Sequence, residues 1–458
     1  MITEFASQVD TEERKPTEIN HALVEAFRCP NELGSFQLAG ELSAAPGYFR
    51  FGADTLCYGR CTAQPARDAD GTLPNLLKDV RIDGSAAILP FDPVEVIANL
   101  RFERYAASSA GPGASLLSSA YYWARPVMPV WFRRHLQRLR LEGARDVKFP
   151  HWPVDWTVER IQETLLSIAI KAQGGEAVPF VWFWPRGVSS CVIITHDVEA
   201  QAGLDFCPAL MDINDSFGIK SSFQLVPEKR YSVSDGLLNS IRDRGFEINV
   251  HDLNHDGRLY SERDEFLRRA HKINQYGHRY GAKGFRSGAL YRNLNWYDAL
   301  KFEYDMSVPS AGHLEAQGGG CCSIRPYFIN ELVELPVTTT QDYSLFHILG
   351  DYSIDLWKQE IDTIMERHGL ISFIIHPDYI QGKKAQETYR SLLKHLSQLR
   401  AEKKIWIALP GEVASWWRQR SQMSLTRESG SWQVAGPRQE TARVAHAHVD
   451  EHELVYTI

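Results

Sequence analysis

Long apolar runs are missing from this chain, and so is any concentration of charge of one sign. The most hydrophobic stretches, 178–185 and 371–376, are far shorter than the roughly 20 residues that a helix needs to cross a bilayer. No transmembrane segment is expected. The opening MITEFASQVDTEERKPTEIN carries acidic residues where a secretory signal needs basic ones, and no apolar run follows it. That points to a soluble, cytoplasmic protein. The formal net charge of -7 is spread along 458 residues without a basic stripe, so neither nucleic acid nor an anionic membrane surface is an expected partner. Cysteine is scarce as well. The seven cysteines are odd in number and scattered, which argues against a disulfide framework and for reduced thiols. Cys321 and Cys322 are adjacent but have no second pair to complete a zinc site, and a flexible loop carrying two thiols is the preferred reading over a redox centre.

What is present is an ordinary globular balance, 44% hydrophobic and 23% charged, on a chain long enough for two domains. Residues 1–17 are expected to be disordered. Residues 18–187 read as an α+β accessory domain, with strand-like runs GYFRFGADTLCYGRC and SAAILPF and helices over 93–104, 126–140 and 155–174. The domain boundary is placed at the aromatic VPFVWFWPRG. From there to residue 423, short apolar runs (CVIIT, SSFQLV, FEINV, KGFRS, FEYDMS, ISFII, IWIAL) alternate with amphipathic helical patterns. One such helix spans 261–280, with Ser261 and Asp264 as a capping pattern, and another spans 353–368 and stops at Gly369. The pattern predicts an α/β fold, a barrel or incomplete barrel whose functional residues collect at the C-terminal ends of parallel strands. Residues 424–458 form a polar tail with a predicted terminal β-hairpin, and His446, His448 and His452 on it read as surface positions rather than metal ligands.

Chemistry-bearing residues stand where the apolar runs end. THDVE brings Asp197 and Glu199 out on one side of an extended segment, a spacing that suits metal ligation and proton transfer but also helix capping. HDLNH follows FEINV and places His251 and His255 four apart, the spacing that converges on one side of a helical turn and suits zinc. Asp252 stands where a zincin protease needs glutamate, and Asn254, Asp256 and Gly257 break a helix early, so the protease reading fails. FRSGALY carries Arg286, which could hold a carboxylate in a bidentate pair, and YDMSVPS carries Asp305. IIHPD places His376 at the end of ISFII, where a general acid would stand. Taken singly, each of these also reads as an ordinary polar residue on a barrel rim.

Together, in this order, the motifs resemble the polysaccharide deacetylases, carbohydrate esterase family four, also called NodB-like, over roughly half the chain. The resemblance implies a distorted (β/α)7 barrel after the N-terminal domain and removal of acetyl groups from an acetylated glycan or sugar precursor. It implies Asp197 as general base, His251 and His255 as metal ligands, Arg286 orienting Asp197, His376 as general acid, and Asp305 as the acidic residue tuning that histidine. Val198 stands where many members carry a metal-binding aspartate. The DxE spacing is similar to that of a subgroup with an HDVD or HDVE motif, which makes Glu199 the third ligand. Gly288 replaces the third motif's usual proline, with Ala289 at the place of the oxyanion-binding amide. The implied cofactor is a divalent ion, zinc first, with cobalt, nickel or manganese as alternatives. Two other readings stay open: a C–N hydrolase of a small cyclic amide on the same fold, and a non-catalytic glycan-binding protein. Trp123, Trp131, Trp152 and Trp156 would suit sugar stacking, although core packing explains most tryptophans.

Overall fold

The computed structural model describes residues 21–30, 33, 35–109, 147–451 and 453–458. The predicted helix over 126–140, the predicted disorder of residues 1–17, Trp123, Trp131 and His452 lie outside them. The N-terminal region opens with helix α1 (His21–Phe27) and strands β1 (Ser35–Leu38), β2 (Gly47–Arg50), β3 (Leu56–Gly59), β4 (Arg81–Asp83) and β5 (Ala86–Leu89). Strands β2 and β3 form an antiparallel hairpin, while β5 lies between β1 and β4. Helix α2 (Pro93–Arg101) starts where the side chain of Asp92 accepts from the amides of Val94 and Glu95, with proline at the first position, where its missing N–H costs nothing. Helix α3 (Thr157–Ala172) is followed by Gly174 and Gly175, both at positive φ (84° and 87°), where the chain turns into β6 (Val178–Val181).

The barrel follows. Its first strand, β7 (Ser190–Val198), is buried at every position, which is why its sequence reads as a continuous apolar run instead of alternating. Helices and strands then alternate through α4 (Gln201–Asp215), β8 (Ser222–Leu225), α5 (Asp235–Asp243), β9 (Glu247–His251), α6 (Arg263–Tyr280), β10 (Gly284–Arg286) and β11 (Tyr304–Asp305). A short antiparallel hairpin, β12 (Tyr327–Ile329) and β13 (Leu332–Glu334), comes next. The chain continues through α7 (Asp355–Glu366), β14 (Leu370–Ile374), α8 (Lys383–Ala401), β15 (Ile405–Ile407) and α9 (Pro410–Arg420). Strands β7 to β11 and β13 pair in parallel sequence, β14 flanks β7 on one side, and β15 shares its other side with β8. All seven predicted strand runs are present, so the α/β barrel expectation holds.

Closure of the barrel is where the fold departs from regularity. Between β14 and the chain after β13, side-chain hydroxyls supply much of the bonding: Thr338 Oγ1 donates to the Leu370 carbonyl at 2.7 Å and accepts from the Ser372 amide at 2.9 Å, and Thr339 Oγ1 donates to the Ser372 carbonyl at 2.8 Å. This seam distorts the barrel, and it draws the chain just beyond Thr339 alongside the C-terminal end of β14.

Some local expectations fail for tertiary reasons. Helix α6 begins at Arg263 without a side-chain cap, because the Ser261 hydroxyl donates back to the Arg258 carbonyl. Cys321 and Cys322 are fully buried instead of lying on a flexible loop; their amides donate to the Pro309 and Ser310 carbonyls, and burial pushes both thiols upward in pKa, which makes them unreactive. VPFVWFWPRG is a buried seam: the indole N–H groups of Trp182, Trp184 and Trp416 reach the carbonyls of Val188, His368 and Phe183, all at 2.8–2.9 Å. After α9 come the hairpin of β16 (Ser424–Glu428) with β17 (Ser431–Ala435), then β18 (Val444–Asp450) with β19 (Glu453–Thr457); β18 pairs back onto β6. Among the described residues no helix is long and apolar enough to cross a membrane.

Candidate metal centre and active site

Parallel strands deliver their C-terminal residues to one end of a barrel. Here Asp197 is the penultimate residue of β7, His251 the last of β9 and Arg286 the last of β10. Arg286 is fully buried and spans the interior: its Nη1 donates to Asp197 Oδ1 at 2.7 Å and to Thr195 Oγ1 at 2.6 Å, and its Nε to the Met306 carbonyl at 2.9 Å. Burial alone would raise the Asp197 carboxyl, but Arg286, with His251 and His376 behind it, holds it below its ordinary value. The other oxygen, Oδ2, faces His251 Nε2 at 3.7 Å.

Glu199, His251 and His255 converge, with their ligand atoms within 4.8 Å of one another. Glu199 Oε1 stands 2.9 Å from His255 Nε2 and 3.8 Å from His251 Nε2. Both Nε2 atoms are buried without a hydrogen-bond partner, a costly state unless a ligand takes them up. His251 Nδ1 is engaged by the Arg286 carbonyl at 3.2 Å, which places the proton on Nδ1 and leaves Nε2 with its lone pair, the arrangement a metal ligand needs. A carboxylate with two imidazoles and an open side suits a catalytic divalent ion, so the residues fit the metal.

The route to this geometry differs from the helical turn expected for HDLNH. His251 ends a strand, Asp252 and His255 both adopt left-handed backbone (φ 56° and 52°), and a tight loop brings the two rings to 4.8 Å between centroids. Gly288 is explained by the same loop: a Cβ there would lie 2.6 Å from Asp252 Oδ2 and 2.9 Å from the His255 ring, so no proline fits. Ala289, at φ 54°, follows in a left-handed turn.

His376 lies just beyond β14 and faces Glu199 Oε1 at 3.6 Å through Nε2. Its partner is Asp342 and not Asp305. Asp342 Oδ1 meets His376 Nδ1 at 2.6 Å and its Oδ2 accepts from the His376 amide at 2.7 Å. Burial would lower the imidazole, and Asp342 followed by Glu199 raises it well above its ordinary value. Asp305 instead accepts from the amide and hydroxyl of Ser307, whose oxygen accepts from the Ser287 amide beside Arg286. Burial and then Asp305 push Glu334 well above the carboxyl range, so this neighbouring pair retains a proton. The threonine seam is the reason for the exchange of partners: it lays Asp342 along β14, whereas Asp305 ends an interior strand.

No protein-family profile and no curated relative matches the chain. Solved structures do. A protein of Mycobacterium smegmatis assigned as a polysaccharide deacetylase is 20% identical, with 52% of this chain and 93% of that chain covered and a TM-score of 0.43. An allantoinase is 10% identical over 51% of this chain and 92% of its own, with a TM-score of 0.40. The peptidoglycan deacetylase PdaC of Bacillus subtilis is 11% identical over 50% of this chain and 93% of its own, with a TM-score of 0.32. Neither the identities nor the scores transfer an activity.

Two residues beyond the motif reading complete the site. One is Asp342, signalled only by TTTQD after an apolar run. The other is Asp378 of IIHPD, whose Oδ2 accepts from the Glu199 amide at 3.2 Å and Oδ1 from the Gly203 amide at 2.9 Å, so it ties Glu199 to the start of α4. Trp156 stands apart from the site, packed against the guanidinium groups of Arg160 and Arg367. Among the described residues, Glu199, His251 and His255 are the one group arranged to hold a metal, and His446 and His448 have no part in it.

Proposed function

We propose that the chain is a metal-dependent hydrolase that removes acetyl groups, N-acetyl first, from a saccharide or polysaccharide precursor, and that it belongs with the deacetylases carrying a DxE first motif. The observation that carries this reading is a three-ligand cluster with orphaned imidazole nitrogens, flanked by an Arg286-held carboxylate and an Asp342-held histidine. A divalent ion, zinc first, held by Glu199, His251 and His255 would supply Lewis-acid polarisation of the acetyl carbonyl and acidify the attacking water. The chain's own residues do the rest. Asp197, kept ionised and turned by Arg286, takes a proton from the water as its oxygen bonds to the carbonyl carbon. The Ala289 amide in its left-handed turn is the candidate donor to the oxyanion. His376, charged through Asp342, gives its Nε2 proton to the leaving nitrogen as the C–N bond breaks, and acetate and an amine result. Acetate release from N-acetylglucosamine oligomers and O-acetylated glycans tests this, with metal content measured on the same preparation. Release that requires the metal is the expected result; release unchanged by chelation overturns the proposal.

A further inference from the structure

At the end of the barrel away from the strand C-termini, a cavity of about 500 Å³ opens between α1, α2, the turn before β13 and the C-terminal end of α9. Its charge is lopsided. Arg28, Arg101, Arg325, Arg418 and Arg420 line it, against the carboxylates of Glu25 and Glu331. Glu25 is taken by Arg101 at 2.7 Å. Arg325 is 3% exposed, stacks its guanidinium face on Phe183 at 3.7 Å and donates Nη2 to the Arg367 carbonyl at 2.8 Å. Its Nε and Nη1 have no hydrogen-bond partner, and neither has Nε of Arg101, which is 8% exposed. Arg420, 1% exposed, donates to the backbone carbonyls of Ala26, Val181 and Trp182. Burial and then the charges of Arg325 and Arg28 depress its pKa far below the ordinary value, a sign of guanidinium charge with too little anion near it.

Buried cations without partners are strongly unfavourable, and a multiply charged anion removes the penalty. The free Nε and Nη1 of Arg325 form an in-plane fork that matches phosphate oxygens. The volume falls within the roughly 300–1,000 Å³ of small-molecule sites, and Phe102, Phe328 and Trp417 offer apolar wall for an organic part. We propose that this cavity binds an organic phosphate of nucleotide size, with its phosphate on Arg325 and the neighbouring guanidinium groups. The site is separate from the metal centre and does not depend on the catalytic reading.

Isothermal titration of the full chain with ADP, inorganic pyrophosphate and citrate tests it. Saturable binding of ADP and pyrophosphate is expected, weakened at least about tenfold by Arg325→Gln through loss of two charge-assisted bonds. Ala98→Trp, placed on the half-buried cavity face of α2, is expected to abolish binding while leaving every charge in place. Thermal melts establish that each variant folds, and should Arg325→Gln fail to fold, Ala98→Trp carries the test alone. The proposal is overturned if the unaltered chain binds no phosphate probe saturably, or if citrate binds as tightly as ADP. It is also overturned if ADP binds Ala98→Trp at full strength, since the anion would then sit elsewhere, the metal centre included.

Discussion

The two ends of the barrel handle buried charge in opposite ways. At the C-terminal end, Arg286 meets Asp197, His376 meets Asp342, and carboxylates outnumber the cations they face. At the other end, guanidinium groups outnumber carboxylates, and Arg325 keeps two nitrogens unbonded. A buried charge is tolerated where a partner of opposite sign sits within bonding distance, and a surplus of one sign marks a place built for something the chain itself does not supply. At one end that is a cation. At the other it is an anion.

The comparison can be broken at its strongest point by Asp197→Asn, which should cost on the order of 10³ in turnover while metal content holds, since the loss is of a base and not of a ligand. Full activity in that variant, read by acetate release, would end the assignment of Asp197. Next, Arg286→Gln should destabilise the fold by about 3–5 kcal/mol, because it leaves Asp197 buried and unpaired. Arg325→Gln should cost much less, since it removes a charge already in surplus. Equal losses in denaturant melts would erase the difference between the two ends. A third effect separates the two aspartates: Asp342→Asn should lower kcat about 10²-fold by removing the partner of His376, with metal binding retained. Asp305→Asn should act on stability through Ser307 and Glu334, with the smaller effect on kcat.

The last effect is a slope. Glu360 is fully buried, accepts from the amide and hydroxyl of Thr340, and has no cation beside it. Burial raises its carboxyl from 4.5 to about 8, with the Thr340 bonds working the other way. Between those values the folded chain keeps a proton that the unfolded chain releases, so stability should fall as pH rises through this window. Glu360→Gln should flatten that fall in melts taken from pH 5 to pH 8; an unchanged slope would assign it to another group.

Much of the candidate site was legible because strand ends are legible. Apolar runs such as CVIIT and FEINV are buried on both faces in a parallel sheet, and the polar residue that ends each run must emerge at one rim. Asp197, His251, Arg286 and His376 follow from that rule. The hairpin of β12 and β13 escaped it because each strand is three residues long. Asp342 escaped it because it ends no strand, and its position depends on hydroxyls of Thr338 and Thr339 reaching across to β14.

The amino-acid order alone determined the alternation of strands and helices, the rim that carries the chemistry and the identity of the three converging ligands. Those features are local, set by the period of apolar residues and by what stands at the end of each run. Tertiary structure decided the rest: the looped approach of His255, the choice of Asp342 over Asp305, the burial of Cys321 and Cys322, and the arginine-lined cavity. Each depends on segments tens or hundreds of residues apart meeting at bonding distance, and no local pattern records which partner a buried charge will find.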